Sequence, residues 1–197
     1  MIWQSIDIRT FSDSDFVQAF NNLDDVKRLR VEKFRQRKDK MRTVFADSLV
    51  RSLLSQELGG APQSFCFSYN EHGQPMLADG SYHFNISHCE DIIVAAVDRL
   101  PIGIDVERIR DINLKIAAKY FCEDELYYLF GHEVQDKDFI KTPSIETRLR
   151  FFELWTAKEA YLKCIGTGLT HLKNVDTTKL AFERHLLDNE YVVTIYR

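Results

Sequence analysis

Cysteine is sparse in this chain, and what there is lies scattered. Cys66, Cys89, Cys122 and Cys164 form no Cys-x-x-Cys pair. That spacing offers neither a zinc cage nor a disulfide framework, and leaves buried or incidental thiols in a reducing compartment as the expectation. No apolar run approaches the ~20 residues that cross a bilayer. The opening residues, Met1-Ile2-Trp3-Gln4-Ser5-Ile6-Asp7, lack the basic start and apolar stretch of a secretory leader and read as a first strand. A cytoplasmic protein with no membrane partner is therefore expected. There is no Gly-x-Ser-x-Gly elbow, and a histidine directly after a serine, as in Ser87-His88, is not triad geometry. Low-complexity tracts, Pro/Gly-rich linkers and short-period repeats are missing as well.

Hydrophobic residues make up 45% of the 197 positions, ample for a packed core, and the charged fraction of 28% is unlike that of a disordered chain. A net charge of −4 argues against a nucleic-acid coat or any other whole-surface polyanion binder. The charge is unevenly spread, however. Lys27, Arg28, Arg30, Lys33, Arg35, Arg37, Lys38, Lys40, Arg42 and Arg51 stand against only Glu32, Asp39 and Asp47. A basic segment on an acidic protein suggests a local anion site, although most of these cations also suit an ordinary solvated helix face.

Periodicity and turn chemistry divide the chain into short elements. Ser12-Asp13-Ser14-Asp15 offers caps ahead of Phe16, Val17 and Phe20. Residues 24–38 read as a basic helix, and residues 42–58 as an apolar one stopped by Gly59-Gly60. Strands are expected over residues 65–69, 82–87, 92–98 and 103–107, with a turn at 70–75. Helices follow over 112–120, 123–130 and 146–165, the last closed by Gly166-Thr167-Gly168, with final strands over 178–183 and 191–196. Strands and helices mix without regular βαβ alternation, so the class is α+β. Two halves, 1–100 and 101–197, packed intimately and sharing a site at their seam, are the expected organisation.

Three segments carry chemistry. In Gly103-Ile104-Asp105-Val106-Glu107, strand alternation sends Asp105 and Glu107 one way and Ile104 and Val106 the other. Two such carboxylates supply part of a magnesium shell that keeps room for substrate phosphates. They equally suit a solvated strand face. In Trp155-Thr156-Ala157-Lys158-Glu159-Ala160-Tyr161-Leu162-Lys163, Glu159 and Lys163 share a helix face, as either a functional pair or a surface ion pair worth about 0.3–0.5 kcal/mol. In Phe84-Asn85-Ile86-Ser87-His88, a serine and a histidine at a strand end can donate hydrogen bonds to a phosphate, and His88 alone also reads as a structural histidine.

Occurring in this order and spacing, the three segments resemble the 4′-phosphopantetheinyl transferase superfamily, in particular its surfactin-synthetase-activating class of double-length, pseudo-symmetric monomers. The resemblance covers residues 25–169. It implies two similar α/β halves related by a pseudo-twofold axis, and transfer of the phosphopantetheine arm of coenzyme A to a serine of an apo acyl or peptidyl carrier protein, releasing adenosine 3′,5′-bisphosphate. Asp105, Glu107 and Glu159 match the ligands of magnesium, for which manganese can stand in. Glu159 also matches the base for the carrier serine, and Lys163 the lysine facing the leaving phosphate. Ser87 and His88 match the pair gripping the 3′-phosphate of coenzyme A, joined by Arg42, Lys27 and Arg30. Gly73 and Pro75 belong to the coenzyme A loop, and Lys158 is expected to touch phosphate.

The chain departs from the family pattern at Gly73-Gln74-Pro75, where Gly-Lys-Pro is usual, so one cation near coenzyme A is missing. Relatives also often continue through a further strand after a segment like residues 191–196. A degenerate homologue that binds coenzyme A or a carrier without turnover, and a metal-dependent phosphohydrolase, are the alternatives. A candidate for carrier docking lies at residues 112–121, where Lys115 and Lys119 flank Ile116 and Tyr120, a spacing that equally fits an ordinary amphipathic helix packed on a sheet.

Overall fold

The computed structural model describes residues 1–69, 75–140, 142–166 and 172–197. Gly73, Gln74 and the expected stop at Thr167-Gly168 lie outside the described residues. The fold is α+β, and the chain divides into two compact units, Met1–Ile102 and Gly103–Arg197.

In the first unit, β1 (Ile2–Asp7), β4 (His83–Cys89) and β5 (Ile92–Asp98) form an antiparallel sheet in the order β1-β5-β4. The central strand reads Ile-Ile-Val-Ala-Ala-Val and every one of its residues is buried, which explains an unbroken apolar run where a half-exposed strand would alternate. Against it lies α3 (Arg37–Leu58), whose Val44, Leu49, Val50, Leu53 and Leu54 join Ile93, Ala95 and Val97 in one core. Gly59 stops α3 at φ +73°, a backbone region open to glycine. Upstream, α1 (Asp13–Asn21) starts at a capping box between Ser12 and Asp15, as its sequence suggests. A small ribbon pairs β2 (Phe67–Tyr69) with β3 (Pro75–Leu77).

The basic segment is not one helix. It forms α2 (Asp25–Glu32), breaks, and resumes as α3 with Gln36 extended at the cap. Continuation would stack Lys33 on Arg37 at i,i+4, a like-charge pair that weakens a helix. The break lets the first turns of α3 reach the β4–β5 hairpin instead. There Lys38 pairs with Asp91 at 2.8 Å, and Arg42 donates Nε to the Glu90 carbonyl at 2.8 Å.

The second unit repeats the plan of a long helix on a three-stranded antiparallel sheet. β6 (Gly103–Arg108), β8 (Tyr191–Tyr196) and β7 (Glu183–Leu187) pair in the order β6-β8-β7, and α6 (Ile145–Ile165) packs on β6 and β8. Two shorter helices, α4 (Lys115–Tyr120) and α5 (Glu123–Phe130), complete a core of Leu114, Phe121, Leu126, Phe151, Phe152, Leu154 and Val192. Gly166 ends α6 in the left-handed region. No strand forms at 178–182. Thr177 donates its N–H and hydroxyl to the distant Glu125, and Thr178 donates both of its own to the neighbouring Asp176, so side-chain carboxylates hold a 3₁₀ turn over Thr177–Lys179 where a ladder was expected. Among the described residues no helix is long and apolar enough to cross a membrane.

One buried ion pair ties α5, α6 and the segment after residue 171 together. Lys158 and Glu125 are both 0% exposed and 2.8 Å apart. The ammonium also donates to the carbonyls of Leu172 (2.6 Å) and Val175 (2.5 Å), while Glu125 accepts from the Cys122 amide and from Thr177. With every proton of the lysine placed, the pair recovers its desolvation cost, and removing one partner strands the other. Lys158→Met should lower unfolding stability by about 3–5 kcal/mol, whereas Lys158→Met combined with Glu125→Leu should recover part of that loss. Denaturant melts of the single and double variants read the difference directly.

Candidate active site

Backbone proximity builds the constellation of the second unit. A Cβ on Gly103 would collide with the carbonyl of Ala160 and stand 2.7 Å from the amide nitrogen of Cys164, so only glycine lets α6 lie this close to β6. Strand alternation and helix spacing give Gly103 no role, because the contact that needs it comes from a helix nearly sixty residues later. The glycine sets the distance between the strand bearing Asp105 and Glu107 and the helix turn bearing Glu159 and Lys163.

Alternation along β6 operates as expected, with one refinement. Ile104 and Val106 are fully buried on one face, and Asp105 is buried too, because its face is the one that α6 covers. Thr194, paired across the sheet from Asp105, shares that face and meets Thr156 of α6 through a 2.6 Å hydroxyl contact. Lys163, half-buried, reaches down from α6 to Asp105 Oδ1 at 2.7 Å and to the Ile104 carbonyl at 3.2 Å. It is thus a buried-edge ion pair with a strand carboxylate, not a surface pair with Glu159.

Glu159 lies one helical turn before Lys163. Burial pushes its carboxyl up to about 7, and the negative charges of Asp105 and Glu107 push the same way, with Lys163 only partly offsetting them. The structure therefore brings Asp105, Glu107, Glu159 and Lys163 into one electrostatic neighbourhood. An oxygen-rich, mutually repelling set of three carboxylates has the chemistry of a hard divalent cation site. Among the described residues, ligating atoms lying mutually within 4.8 Å belong to a different trio, Cys122, Glu125 and Asp176. There Glu125 is fully occupied by Lys158, Thr177 and the Cys122 amide, so the group is a structural knot.

In the first unit, Ser87 and His88 lie near the end of β4, with Ser87 buried and His88 exposed as strand alternation requires. Arg42, anchored on Glu90, lies at the same hairpin and also touches Asp39 at 3.3 Å. Three expected ligand residues therefore belong to one end of the first sheet. Arg30 is exposed on α2, and Pro75 opens β3 opposite Tyr69. Lys27 points inward. Its ammonium pairs with Asp47 at 2.5 Å, Arg51 holds the other oxygen of Asp47 at 2.5 Å, and both cations lie over the Phe67 ring. Lys158 is a correction: the expected phosphate contact is ruled out by an ammonium that is wholly interior and spent on Glu125 and two carbonyls.

A family model described as the 4′-phosphopantetheinyl transferase superfamily matches residues 101–194, the span that holds these carboxylates, and one described as 4′-phosphopantetheinyl transferase, N-terminal, matches residues 10–99. The chain belongs to the 4′-phosphopantetheinyl transferase superfamily. It is 39% identical over 132 residues to 4′-phosphopantetheinyl transferase gsp of Aneurinibacillus migulanus, covering 67% of this chain and 51% of that protein. It is 36% identical over 145 residues to 4′-phosphopantetheinyl transferase Sfp of Bacillus subtilis (strain 168), covering 73% and 60%. With 4′-phosphopantetheinyl transferase psf-1 of Bacillus pumilus it shares 33% over 156 residues, covering 79% and 63%. The chain thus spans 51–63% of the length of these relatives.

Gly103 and Glu159 each give the fold a testable signature. Gly103→Ala forces α6 away from β6; overpacking of this kind costs about 1–3 kcal/mol, and thermal melts should show the loss even though no polar group is touched. Glu159 gives a pH signature. A carboxyl raised from its ordinary 4.5 to about 7 in the folded state costs stability progressively across that window and fully above it. In chelator-treated buffer, Glu159→Gln should therefore melt higher than the parent at pH 8 and no differently at pH 4.5. Equal melting curves at both pH values would contradict the crowding of carboxylates.

Proposed function

We propose that this chain transfers the 4′-phosphopantetheine arm of coenzyme A to a serine of an apo acyl or peptidyl carrier protein, releasing adenosine 3′,5′-bisphosphate, and that it does so as a cytoplasmic monomer. The observation that carries this reading is the gathering of Asp105 and Glu107 of β6 around Glu159 of α6, with Lys163 one turn away and bonded to Asp105. These residues fall within the span matched by the superfamily model.

Asp105, Glu107 and Glu159 would hold a magnesium ion, whose chemistry is to offset charge on the pyrophosphate of coenzyme A. The chain's own groups account for the remaining steps. Glu159 accepts the proton of the carrier serine as its oxygen bonds to the phosphorus bearing pantetheine. The phosphorus–oxygen bond to the adenosine bisphosphate breaks, and the Lys163 ammonium offers its charge to that departing phosphate. Lys163 is tethered to Asp105 and the Ile104 carbonyl, so the cation is positioned before substrate arrives.

Arg42, Ser87 and His88 are assigned to the 3′-phosphate, with Arg30 contributing field from α2. Lys27, neutralised by Asp47, contributes less than its sequence position suggests. This division explains how a net-acidic chain binds a polyanionic substrate through a few directed groups.

Incubation of the chain with coenzyme A, magnesium and an apo carrier domain should add one phosphopantetheine mass to the carrier. Glu159→Gln and Asp105→Asn should each lower turnover by about 10²–10⁴-fold, with near-parental folding by circular dichroism. Chelation should stop transfer and added magnesium restore it. Unmodified carriers across fatty-acid, polyketide and nonribosomal-peptide classes would defeat the proposal.

A further inference from the structure

The transfer reading leaves part of the basic segment without a task. A cavity of about 340 Å³ in the first unit is lined by Phe16, Arg35, Arg37 and Lys40, three cations and one aromatic ring. Phe16 stacks on Phe20 at 6.0 Å and meets Phe45 edge-on at 6.4 Å, so packing fixes its ring and leaves the remaining surface to the cavity. Arg37 is engaged by Asp13 of α1. Among the described residues neither Arg35 nor Lys40 has a carboxylate within 4.0 Å, and Lys40 is half-buried. Lys40 and Arg42 are two residues apart on α3 and point to different sides of the helix, so this cavity is not built from the Arg42 cluster.

Positive charge concentrated in a concave surface attracts anions more strongly than the same charge spread over a convex face. Two guanidinium forks and an ammonium match phosphate oxygens in charge and geometry, and the fixed Phe16 ring provides an apolar surface for a flat group attached to that phosphate. We infer that this cavity is a binding site for an aromatic phosphate monoester, separate from the residues assigned to transfer. The site has a built-in competitor: Asp13 holds one of the three cations, so ligand binding draws Arg37 away from it.

Phenyl phosphate and inorganic phosphate, titrated calorimetrically into the full chain at matched ionic strength, test the inference. Phenyl phosphate should bind more tightly than inorganic phosphate, and Phe16→Leu should shrink that preference. Arg35→Gln and Lys40→Gln should each weaken phenyl phosphate binding roughly tenfold, the range of a charge-assisted hydrogen bond. Asp13→Asn should strengthen it by releasing Arg37. Coenzyme A-dependent transfer should be unchanged in the Arg35→Gln/Lys40→Gln chain, so the outcome here is independent of the transfer proposal. The inference is overturned if that double variant binds phenyl phosphate as the parent does. It is equally overturned if chloride at the same ionic strength abolishes binding by both anions alike, or if His88→Ala removes binding while the double variant retains it, which would place the ligand among the coenzyme A residues.

Discussion

The close approach of α6 to β6 at Gly103 is the constraint from which the chemistry of the second unit follows. Helices pack on sheets through side chains, and a spacing that brings a glycine Cα against the helix backbone is available only where no side chain intervenes. At that spacing, Lys163 can reach both the main chain and the carboxylate of a strand residue, and Glu159 comes within the field of two more acids. A larger residue at 103 would widen the gap and let water screen these charges, weakening the perturbation that makes Glu159 chemically useful.

Two ionic clusters elsewhere serve the fold. Lys158–Glu125 and Lys27–Asp47–Arg51 are buried, saturated with hydrogen bonds or stacked on a ring, and each ties together elements distant in sequence. Lys163–Asp105 differs in kind. It lies at the edge of burial, next to a carboxylate held near neutrality, so its rearrangement on meeting a phosphate or a cation costs less than breaking a fully interior pair. Both kinds of pair use the same residue types, and the depth of burial separates them.

Much of the architecture was legible in the residues. Gly59 and Gly166 end the two long helices, Ser12–Asp15 caps α1, and the apolar run at 92–98 is a central strand, because local backbone chemistry dominates at such points. The segments that differ from expectation are those governed by distant partners. Residues 24–38 split because α3 clips onto a hairpin some fifty residues later, and 178–182 lost its strand to Glu125. The acids and lysines of the site were readable from alternation and helix spacing, whereas the inward turn of Lys27 and Lys158 was not, since periodicity gives a residue's face and not what covers it.

By itself, then, the order of residues determined most of the element types, the family resemblance and the candidate carboxylates at 105, 107 and 159. It could do so because periodicity, capping and motif spacing are properties of neighbours along the chain. Tertiary structure alone decided which cations are free to meet a ligand and which are locked into the interior. That choice rests on burial and on counter-ions supplied from far away in sequence: Asp47 and Glu125 lock Lys27 and Lys158 inside, whereas Asp105 holds Lys163 at the edge of burial.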